Sequence, residues 1–364
     1  MIAPKQQRHA TATGIALSAA VIATVVLLII GSDRPTAALT AFFLGPFSNP
    51  YYFGNMLAEA GLLVLTGLGV CLAFRAGVFN LGGEGQTYAA ATASAAVVLV
   101  MPAAPGGVGI AAAFLVGIAI GGTLGAFSGV FKWLTDTDEL ITSFLISAAA
   151  IPIVDYLIIG PWNDPASNLL TTRRVAEQFR LLRILPPSYL NVGVFGAIAL
   201  SVFMLFYLFR TVSGYELRLC GLNRNFARYG GVPVGMYIVG PMAASGAFHG
   251  LAGTTAVLGI HHAALVGFTG GLGWNGIAVA LIARTHPLGV IPAALVFAYL
   301  NAGAKAAMLH TTFTFELGTI IQAVIFFLIT ATNIGPQLLG PRLTGAILTR
   351  RTRRSKQSEA TNDL

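Results

Sequence analysis

Long apolar runs separated by short polar segments dominate this chain and restrict what it can fold into. Of its 364 residues, 55% are hydrophobic and only 9% are charged, and its mean hydropathy is +0.77. Average soluble proteins carry about 25% charged residues. In lipid, every backbone N–H and C=O group must be satisfied within helices or closed barrels. The apolar runs therefore predict an all-α polytopic membrane protein.

The lengths of the apolar runs predict about ten transmembrane helices. A helix that crosses the bilayer needs about 20 mainly apolar residues. The eighth run is shorter, which predicts a broken or half-crossing helix. The segment 36–47 is short and contains proline, and we expect it at the membrane interface. The predicted spans are 12–30, 55–74, 86–102, 108–131, 140–159, 191–209, 236–259, 275–285, 287–303 and 316–335.

The positive charges predict the orientation of these spans. Ten spans place both termini on the same side of the membrane. With that side inside, 15 of the 21 Lys and Arg residues fall in cytoplasmic segments, as the positive-inside rule requires. Both termini are therefore predicted to be cytoplasmic. The basic tail carries no interleaved aromatic residues. Its charges therefore indicate a cytoplasmic anchor at the membrane lipid and not a nucleic-acid-binding arm.

The chain divides into three predicted parts. Residues 1–35 form an N-terminal tail with the first transmembrane helix, 36–335 the membrane core, and 336–364 a basic cytoplasmic tail. Two loops of the core are too long to be simple connectors. The outer loop, 160–190, contains four arginines and an apolar spacing that predicts a short amphipathic helix, at Val175, Phe179, Leu182 and Ile184. The inner loop, 210–235, is polar and basic with a helical centre.

The motif R-A-G-V-F-N-L-G-G-E-G-Q at 75–86 is polar and glycine-rich although it lies between two apolar runs. Four glycines within the motif argue against a continuous helix. We therefore predict a re-entrant or broken segment near 77–86, in which Asn80, Glu84 and Gln86 bind the freed backbone amides. Two interpretations stay open, one in which these side chains are structural only and one in which they also line a solute path.

Few other polar residues at predicted membrane depth are candidates for function. Carboxylates in the bilayer are costly, so Glu59, Glu84 and Asp155 are candidate members of a proton relay. Glu316 begins the last predicted span, where a carboxylate caps a helix. The pair His261–His262 is expected to be a satisfied interfacial pair instead of a metal site. The sequence has no phosphate-binding loop and no recognisable hydrolase motif, so no catalytic, metal or cofactor site is predicted.

The 75–86 motif resembles the R-A-G-x-x-N-[LI]-G-x-E-G-Q hallmark of permease subunits of bacterial ABC importers for simple sugars and nucleosides, related to ribose and branched-chain amino acid permeases. Three further segments agree in order with this family: T-D-T-D-E-L-I-T-S-F-L (135–145, with Asp138 in place of the usual Asn), L-R-L-C-G-L-N-R-N-F-A-R-Y-G-G (217–231) and G-W-N-G-I-A-V-A-L-I-A-R-T-H-P-L-G-V (273–290). The resemblance covers roughly residues 55–335 and is strongest to the longer nucleoside-type permeases.

The resemblance implies the partners of the chain. The inner loop would hold the helix that docks on a separate ABC ATPase subunit, which would hydrolyse the ATP. A second permease subunit, identical or homologous, and an extracytoplasmic solute-binding protein would complete the importer in the cytoplasmic (inner) membrane. No cofactor is implied. Residues of the inner loop expected to act in coupling are Arg218, Gly221, Asn223, Ala227 and Tyr229.

The expected function is import of a neutral, hydroxylated solute, with a nucleoside favoured over a simple sugar because of the family resemblance. The scarcity of charge at membrane depth argues against an ionic substrate. Two other classes stay open: a proton-coupled secondary transporter that uses Glu59, Glu84 or Asp155, and a membrane scaffold without transport. Residues expected along the solute path are Phe79, Asn80, Glu84, Gln86, Trp274 and Asn275.

Overall fold

The computed structural model describes residues 18–19, 21–312, 314, 317–324 and 327, and over these residues the protein is helical. Three isolated bridges are the sole β-type pairing within this part of the chain. The helices, in chain order, are α1 (Val21–Ile30), α2 (Pro35–Leu44), α3 (Pro50–Arg75), α4 (Gly83–Val100), α5 (Gly106–Thr135), α6 (Glu139–Ile159), α7 (Gly193–Arg210), α8 (Val212–Leu222), α9 (Arg224–Tyr229), α10 (Met236–Ala256), α11 (Leu272–Ile282) and α12 (Val290–His310).

The observed helices confirm an all-helical protein with several membrane-capable segments. Five described segments are long and apolar enough to cross a bilayer, namely α3, α5, α6, α7 and Pro287–His310. The short eighth span is confirmed, because α11 has 11 residues. The helix of the ninth predicted span, α12, ends at His310, seven residues beyond the predicted boundary at 303. The start of the first span, much of the last one, Glu316 and the tail 336–364 lie outside the described residues.

The chain packs into two compact units. One unit is Thr36–Thr311, and the other contains the described residues of Met1–Pro35 and Thr312–Leu364. In the second unit, the carboxylate of Asp33 accepts hydrogen bonds from the hydroxyl and the amide of Thr312, at 2.8 and 3.3 Å. The rest of the structure described below belongs to the first unit.

Helix α3 is the buried centre of the Thr36–Thr311 unit. Its 26 residues give a length of about 39 Å, more than the hydrocarbon thickness of a bilayer. Near its beginning, the side chain of Asn55 accepts a hydrogen bond from the amide of Tyr189 in the outer loop. At its end, Gly77 contacts Gly221 of the inner loop. The outer and inner loops therefore lie at opposite ends of α3.

Helices α5 and α10 cross with their backbones in contact, because both helices have glycine residues at the crossing. Gly117, Gly121 and Gly125 recur every four residues on the buried face of α5. A Cβ on Gly121 would overlap the carbonyl of Gly246, and one on Gly246 would overlap the carbonyl of Gly121. Small residues at this spacing permit close helix approach in membranes, where van der Waals packing drives association.

The outer loop does not contain the amphipathic helix that its apolar spacing predicts. Its helical content is a single 3₁₀ turn, Glu177–Phe179, and Leu182 is largely exposed. The backbone is extended because its amides bond to the segment after α10: Val175 N–H donates to the His262 carbonyl and Leu181 N–H to the Leu258 carbonyl. Val175 and Phe179 are buried by this pairing and not by a helical face.

Neighbouring glycines of α5 give a matched test of the helix crossing. Gly121→Ala introduces a methyl group where the carbonyl of Gly246 lies, and overpacking of this kind typically costs about 1–3 kcal/mol. Gly122→Ala places its Cβ 3.4 Å from the carbonyl of Ala243 and is expected to be neutral or slightly stabilising, because alanine favours helix by about 1 kcal/mol. Thermal unfolding of the two purified variants measures the difference. Equal unfolding temperatures would contradict the close crossing.

Candidate functional site

The 75–86 motif forms a break between two helices that is shorter than predicted. α3 ends at Arg75 and α4 begins at Gly83, so the non-helical break covers 76–82 and not 77–86. Gly83 and Gly85 are helical and serve packing: a Cβ on Gly83 would overlap the ring of His249, and one on Gly85 would lie 2.6 Å from the Ser147 hydroxyl. Gly77 has φ +68°, a left-handed conformation that glycine adopts without strain.

Asn80 and Gln86 pair with each other inside the protein. Their side-chain amides exchange two hydrogen bonds, at 2.8 and 3.1 Å, and both residues are almost fully buried. Asn80 also donates to the hydroxyl of Ser245 on α10 at 3.0 Å and accepts from the amide of Gly82 at 2.9 Å. This arrangement fixes the break against α10 and uses the polar groups of both side chains.

Two serines on α6 satisfy further amides of the motif. The amide of Leu81 donates to the hydroxyl of Ser143 at 3.0 Å, and the amide of Gly85 donates to Ser147 at 2.7 Å. The serines are four residues apart and share one helix face. Neither serine was predicted as a site residue, although two serines at this spacing in an otherwise apolar run were the available signal.

Glu84 caps the N-terminus of α11. Its two carboxylate oxygens accept hydrogen bonds from the amides of Gly271, at 2.9 Å, and Gly273, at 2.8 Å, and the residue is 6% exposed. The first amides of a helix have no partner within the helix and carry partial positive charge. A carboxylate at this place is therefore favourable although it is buried. Glu84 thus joins α4 to α11, a partner that the sequence did not indicate.

Arg75 holds the opposite end of α11. Its Nε donates to the carbonyl of Thr285, three residues beyond α11, at 2.8 Å. The guanidinium also lies 5.6 Å from the centre of the Phe209 ring, which Arg218 contacts as well. A cation near the C-terminus of a helix and an anion at its N-terminus both complement the helix dipole. The two charged residues of the 75–86 motif therefore hold α11 at both ends.

His249 on α10 is the fully buried neighbour of this arrangement. Its Nδ1 lies 2.7 Å from the carbonyl of Ser245, which assigns the ring proton to Nδ1. Its Nε2 has no hydrogen-bond partner among the described residues and faces Gly83. The need for close approach to this ring explains why Gly83 lacks a side chain.

The inner loop folds into two short helices, α8 and α9, that pack on the break. A Cβ on Gly221 would overlap the carbonyl of Arg75, so this glycine permits close approach within the chain. Arg224 donates to the carbonyl of Gly77 at 2.7 Å. Asn223 caps α9 by accepting from the Phe226 amide. Of the other predicted coupling residues, Ala227 is buried, Arg218 contacts Phe209, and Tyr229 is 93% exposed.

An apolar stripe runs along the exposed side of α8 and α9. Each of its members is more than half exposed, and Leu222 is 86% exposed. The stripe lies outside all candidate membrane spans of the described chain. Exposed apolar surface of this kind marks a contact site. The stripe consists of Val212, Tyr215, Leu222, Phe226 and Tyr229.

A groove of about 700 Å³ adjoins the stripe. The end of α5, the α8–α9 pair and the start of α10 form its walls. Lys132 in this wall makes ion pairs with Asp136 at 3.0 Å and with Glu139 at 3.4 Å. The exposed side chains of Asn225 and Arg228 belong to the same wall.

The predicted path residues fall into two groups. Asn80, Glu84 and Gln86 are buried and hydrogen-bonded within the chain. Phe79 and Trp274 are 42% and 47% exposed, and the ring of Phe79 packs against Phe74 at 4.8 Å. Asn275 follows Trp274 in the first turn of α11 and is half-buried.

The three candidate proton-relay carboxylates each have their own partners. Glu59 on α3 accepts from Asn301 and pairs with Lys305 of α12 at 3.0 Å. Asp155 accepts a 2.6 Å hydrogen bond from the hydroxyl of Tyr88, a buried residue that sequence analysis missed. Glu84 caps α11. Each carboxylate joins a different pair of segments, which is the pattern of structural contacts.

At the outer end, His262 lies against the outer loop. Its Nε2 is 3.0 Å from a guanidinium nitrogen of Arg183, and its ring packs on Tyr189. Burial, followed by the charges of Arg180 and Arg183, lowers the pKa of His262 to about 4. The imidazole is therefore neutral at neutral pH. No group of three or more His, Cys, Asp or Glu side chains in the described chain is placed to hold a metal ion.

Comparison with known proteins identifies the family. The family model described as branched-chain amino acid transport system / permease component matches residues 52–330. The chain belongs to this permease family. The probable riboflavin import permease protein RfuC of Treponema pallidum is 37% identical over 323 residues, covering 86% of this chain and 83% of that protein.

Two further relatives cover most of the permease. The guanosine ABC transporter permease protein NupP of Bacillus subtilis is 29% identical over 329 residues, 89% of this chain and 94% of that protein. The glucose ABC transporter permease protein TsgB13 of Haloferax volcanii is 29% identical over 331 residues, 86% of this chain and 85% of that protein. The predicted likeness to nucleoside and sugar importers is confirmed. The chain is a multi-pass membrane transport subunit and not an enzyme.

Membership of the family also implies the two main partners of the permease. Permeases of this kind work with an ABC ATPase and a solute-binding protein. The hydrolysis of ATP therefore belongs to another chain, in agreement with the absence of a phosphate-binding loop from the sequence.

Removal of the Glu84 carboxylate tests its role in the permease. Glu84→Ala leaves the buried amide of Gly273 and the partly buried amide of Gly271 without acceptors, and an unsatisfied buried group costs about 1–3 kcal/mol. Glu84→Gln keeps one acceptor oxygen and should lose less stability. Thermal unfolding and membrane abundance measure the loss. The control is Glu177→Ala, whose carboxylate is exposed and pairs only with Arg180 among the described residues. An unfolding temperature of Glu84→Ala equal to that of the control would contradict the capping role.

Proposed function

We propose that this permease forms half of the membrane pore of an ATP-driven importer. It receives a neutral, ring-bearing and hydroxylated solute from an external binding protein and passes it to the cytoplasm. A second permease subunit, identical or homologous, forms the other half. The observation that carries this proposal is the apolar stripe exposed on α8 and α9, the two helices whose Gly221 and Arg224 contact the break of the 75–86 motif.

The stripe fits an ATPase subunit as its occupant. The predicted orientation places α8 and α9 in the cytoplasm, where exposed apolar side chains need a protein partner or the membrane surface. The groove beside the stripe offers space for a segment of that partner. Because α8 and α9 contact the break, a movement of the ATPase reaches the membrane core through Gly221 and Arg224.

We propose ten spans and cytoplasmic termini, and the position of α3 supports the part of this orientation that places the inner and outer loops on opposite sides of the membrane. The inner loop lies at the end of α3, together with Arg75, Arg218 and Arg224. The outer loop lies at the opposite end, where Arg173 and Arg174 are exposed. We assign this face to the solute-binding protein, because exposed charge of one sign speeds encounter with a complementary surface.

The solute class follows from the chemistry of the permease and the names of its relatives. Riboflavin and guanosine share a flat heteroaromatic ring joined to a hydroxylated chain or sugar, and neither carries a charge at neutral pH. Phe79 and Trp274 expose aromatic faces that suit such a ring. We therefore favour riboflavin or a nucleoside over a simple sugar such as glucose. The polar atoms of Asn80, Glu84 and Gln86 support the path structurally.

A proton-coupled secondary transporter is the weaker candidate. Glu59, Glu84 and Asp155 are each held by separate hydrogen bonds or an ion pair. A relay needs carboxylates that exchange protons along a connected route. The contacts of these three residues connect different helices and support a structural role.

Uptake of candidate solutes tests the solute class. The permease, its ATPase and its binding protein are reconstituted in liposomes with labelled riboflavin, guanosine or glucose. ATP-dependent uptake of riboflavin or guanosine is expected, at a rate well above that of glucose, because only the former two present an aromatic ring. Dissipation of the proton gradient should leave uptake unchanged. Uptake of glucose alone would contradict the solute class, and loss of uptake with the gradient would favour the secondary transporter.

Substitutions in the stripe test ATPase docking. Phe226→Ser and Tyr229→Ser remove exposed aromatic groups, and aromatic residues central to an interface typically contribute about 2 kcal/mol or more, equal to about thirtyfold in affinity. Co-purification of the ATPase measures its retention. Arg210→Ser, exposed in the inner loop but outside both the stripe and the groove, is the control and should retain the ATPase. If Phe226→Ser and Tyr229→Ser retain the ATPase as well, the stripe is not the ATPase site. The same conclusion follows if these substitutions change only the contact of α8 with the lipid surface.

A further inference from the structure

We infer that Arg224 is the positioning residue that links the inner loop to α11. This inference rests on the proposed function, since it assigns the route by which movement of a docked ATPase reaches the membrane core. Arg224 is the first residue of α9 and is partly buried, unlike its exposed neighbours in the same helix, Asn225 and Phe226.

The guanidinium of Arg224 reaches from α9 to the backbone of the break. Its Nη2 donates to the carbonyl of Gly77 at 2.7 Å. Gly77 lies outside helices α3 and α4, and hydrogen bonds to a charged donor are stronger than those between neutral groups. The inner loop is thereby bonded to Gly77, where the backbone is not held by the hydrogen bonds of a helix.

Close packing beside this hydrogen bond leaves no space between the inner loop and the break. The backbone of Gly221 lies against the carbonyl of Arg75, and a Cβ on Gly77 would lie 3.0 Å from the Cα of Gly221. A displacement of α8 and α9 toward the break therefore moves it by direct contact. When α8 and α9 move away from the break, they can pull the break with them only through an attractive contact. The hydrogen bond between Arg224 and Gly77 supplies this contact.

The break transmits this displacement to α11 as a unit. Arg75 precedes the break and holds the C-terminal side of α11 through Thr285. Glu84 follows the break and holds the N-terminal amides of α11. Because the first amides of this 11-residue helix and the segment just after its last residue are bonded to the same motif, α11 follows the break and carries Trp274 with it.

The sequence of contacts therefore runs from the apolar stripe through Arg224 and Gly77 to the two ends of α11. Arg224 contacts neither solute nor ATP in this scheme. Its loss should disconnect transport from ATP hydrolysis while the ATPase stays bound, because the stripe itself is unchanged. A residue needed only for folding would instead lower the amount of permease and leave the ratio of transport to hydrolysis unaltered.

The test uses the complete importer, reconstituted with its ATPase and binding protein. Three quantities are measured: retained ATPase, ATP hydrolysed and solute transported. Arg224→Gln should retain the ATPase but transport about five- to tenfold less solute per ATP hydrolysed, within the usual range of coupling free energies. Arg224→Lys keeps a positively charged donor and should give an intermediate ratio. The control is Arg210→Gln, an exposed arginine of the inner loop that lies outside the groove and the stripe, which should keep the wild-type ratio.

The outcomes separate this inference from the proposed function. Failure of the wild-type permease to retain an ATPase would overturn both. A wild-type ratio in Arg224→Gln with the ATPase retained would overturn the role of Arg224 alone. Loss of the ATPase from Arg224→Gln would also overturn it, since Arg224 would then be a docking residue. If Arg224→Gln does not accumulate, Arg224→Lys decides the matter, and a ratio equal to that of wild type would contradict the inference.

Discussion

The hydrogen bonds between the Glu84 carboxylate and the first amides of α11 are the interaction on which the arrangement of the membrane core depends. α11 is about 16 Å long, half the thickness of the hydrocarbon core, and its first amides have no partners within the helix. Two of these amides belong to Gly271 and Gly273 and are satisfied by Glu84. The charge of the carboxylate is in turn stabilised by the dipole of α11. Each partner thus makes the burial of the other favourable.

The same motif joins the two functional regions of the permease. Arg75 and Glu84 are nine residues apart in sequence and bond to opposite ends of α11. Between them, Gly77 permits the inner loop to approach the backbone, and Asn80 bonds the break to α10. A permease needs a rigid connection between a cytoplasmic partner and a membrane helix. Short-range hydrogen bonds to a non-helical backbone provide this connection without a continuous helix.

Most of the helices were predictable from the sequence, because hydropathy and charge determine where a chain can lie in a membrane. The break was predictable from its glycines, but its length was not, since Gly83 and Gly85 serve close packing against His249 and Ser147. Glu84 was expected to bind freed amides of the break itself, and it binds amides at the start of α11 instead. Which amides it binds depends on tertiary contacts nearly 190 residues apart in sequence, on which a single sequence carries no local signal.

The two loops show why local patterns were less informative outside the membrane. The apolar spacing of Val175 and Phe179 resembles a helix, but these residues are buried because the extended backbone pairs with residues after α10. Gly221 was expected to act in coupling to the ATPase, and its contact in this chain is the Arg75 carbonyl. A small residue indicates close packing but does not indicate which surface lies opposite. The exposed apolar stripe became recognisable only from the structure.

Hydrogen–deuterium exchange of the native permease tests the central role of Glu84 most directly. Peptides that contain Gly271 and Gly273 report whether these two amides are protected. If the carboxylate caps α11, both amides are protected from exchange, because their hydrogen bonds open only when α11 separates from α4. Rapid exchange of both amides in a folded permease, with α3 still protected, would contradict the account.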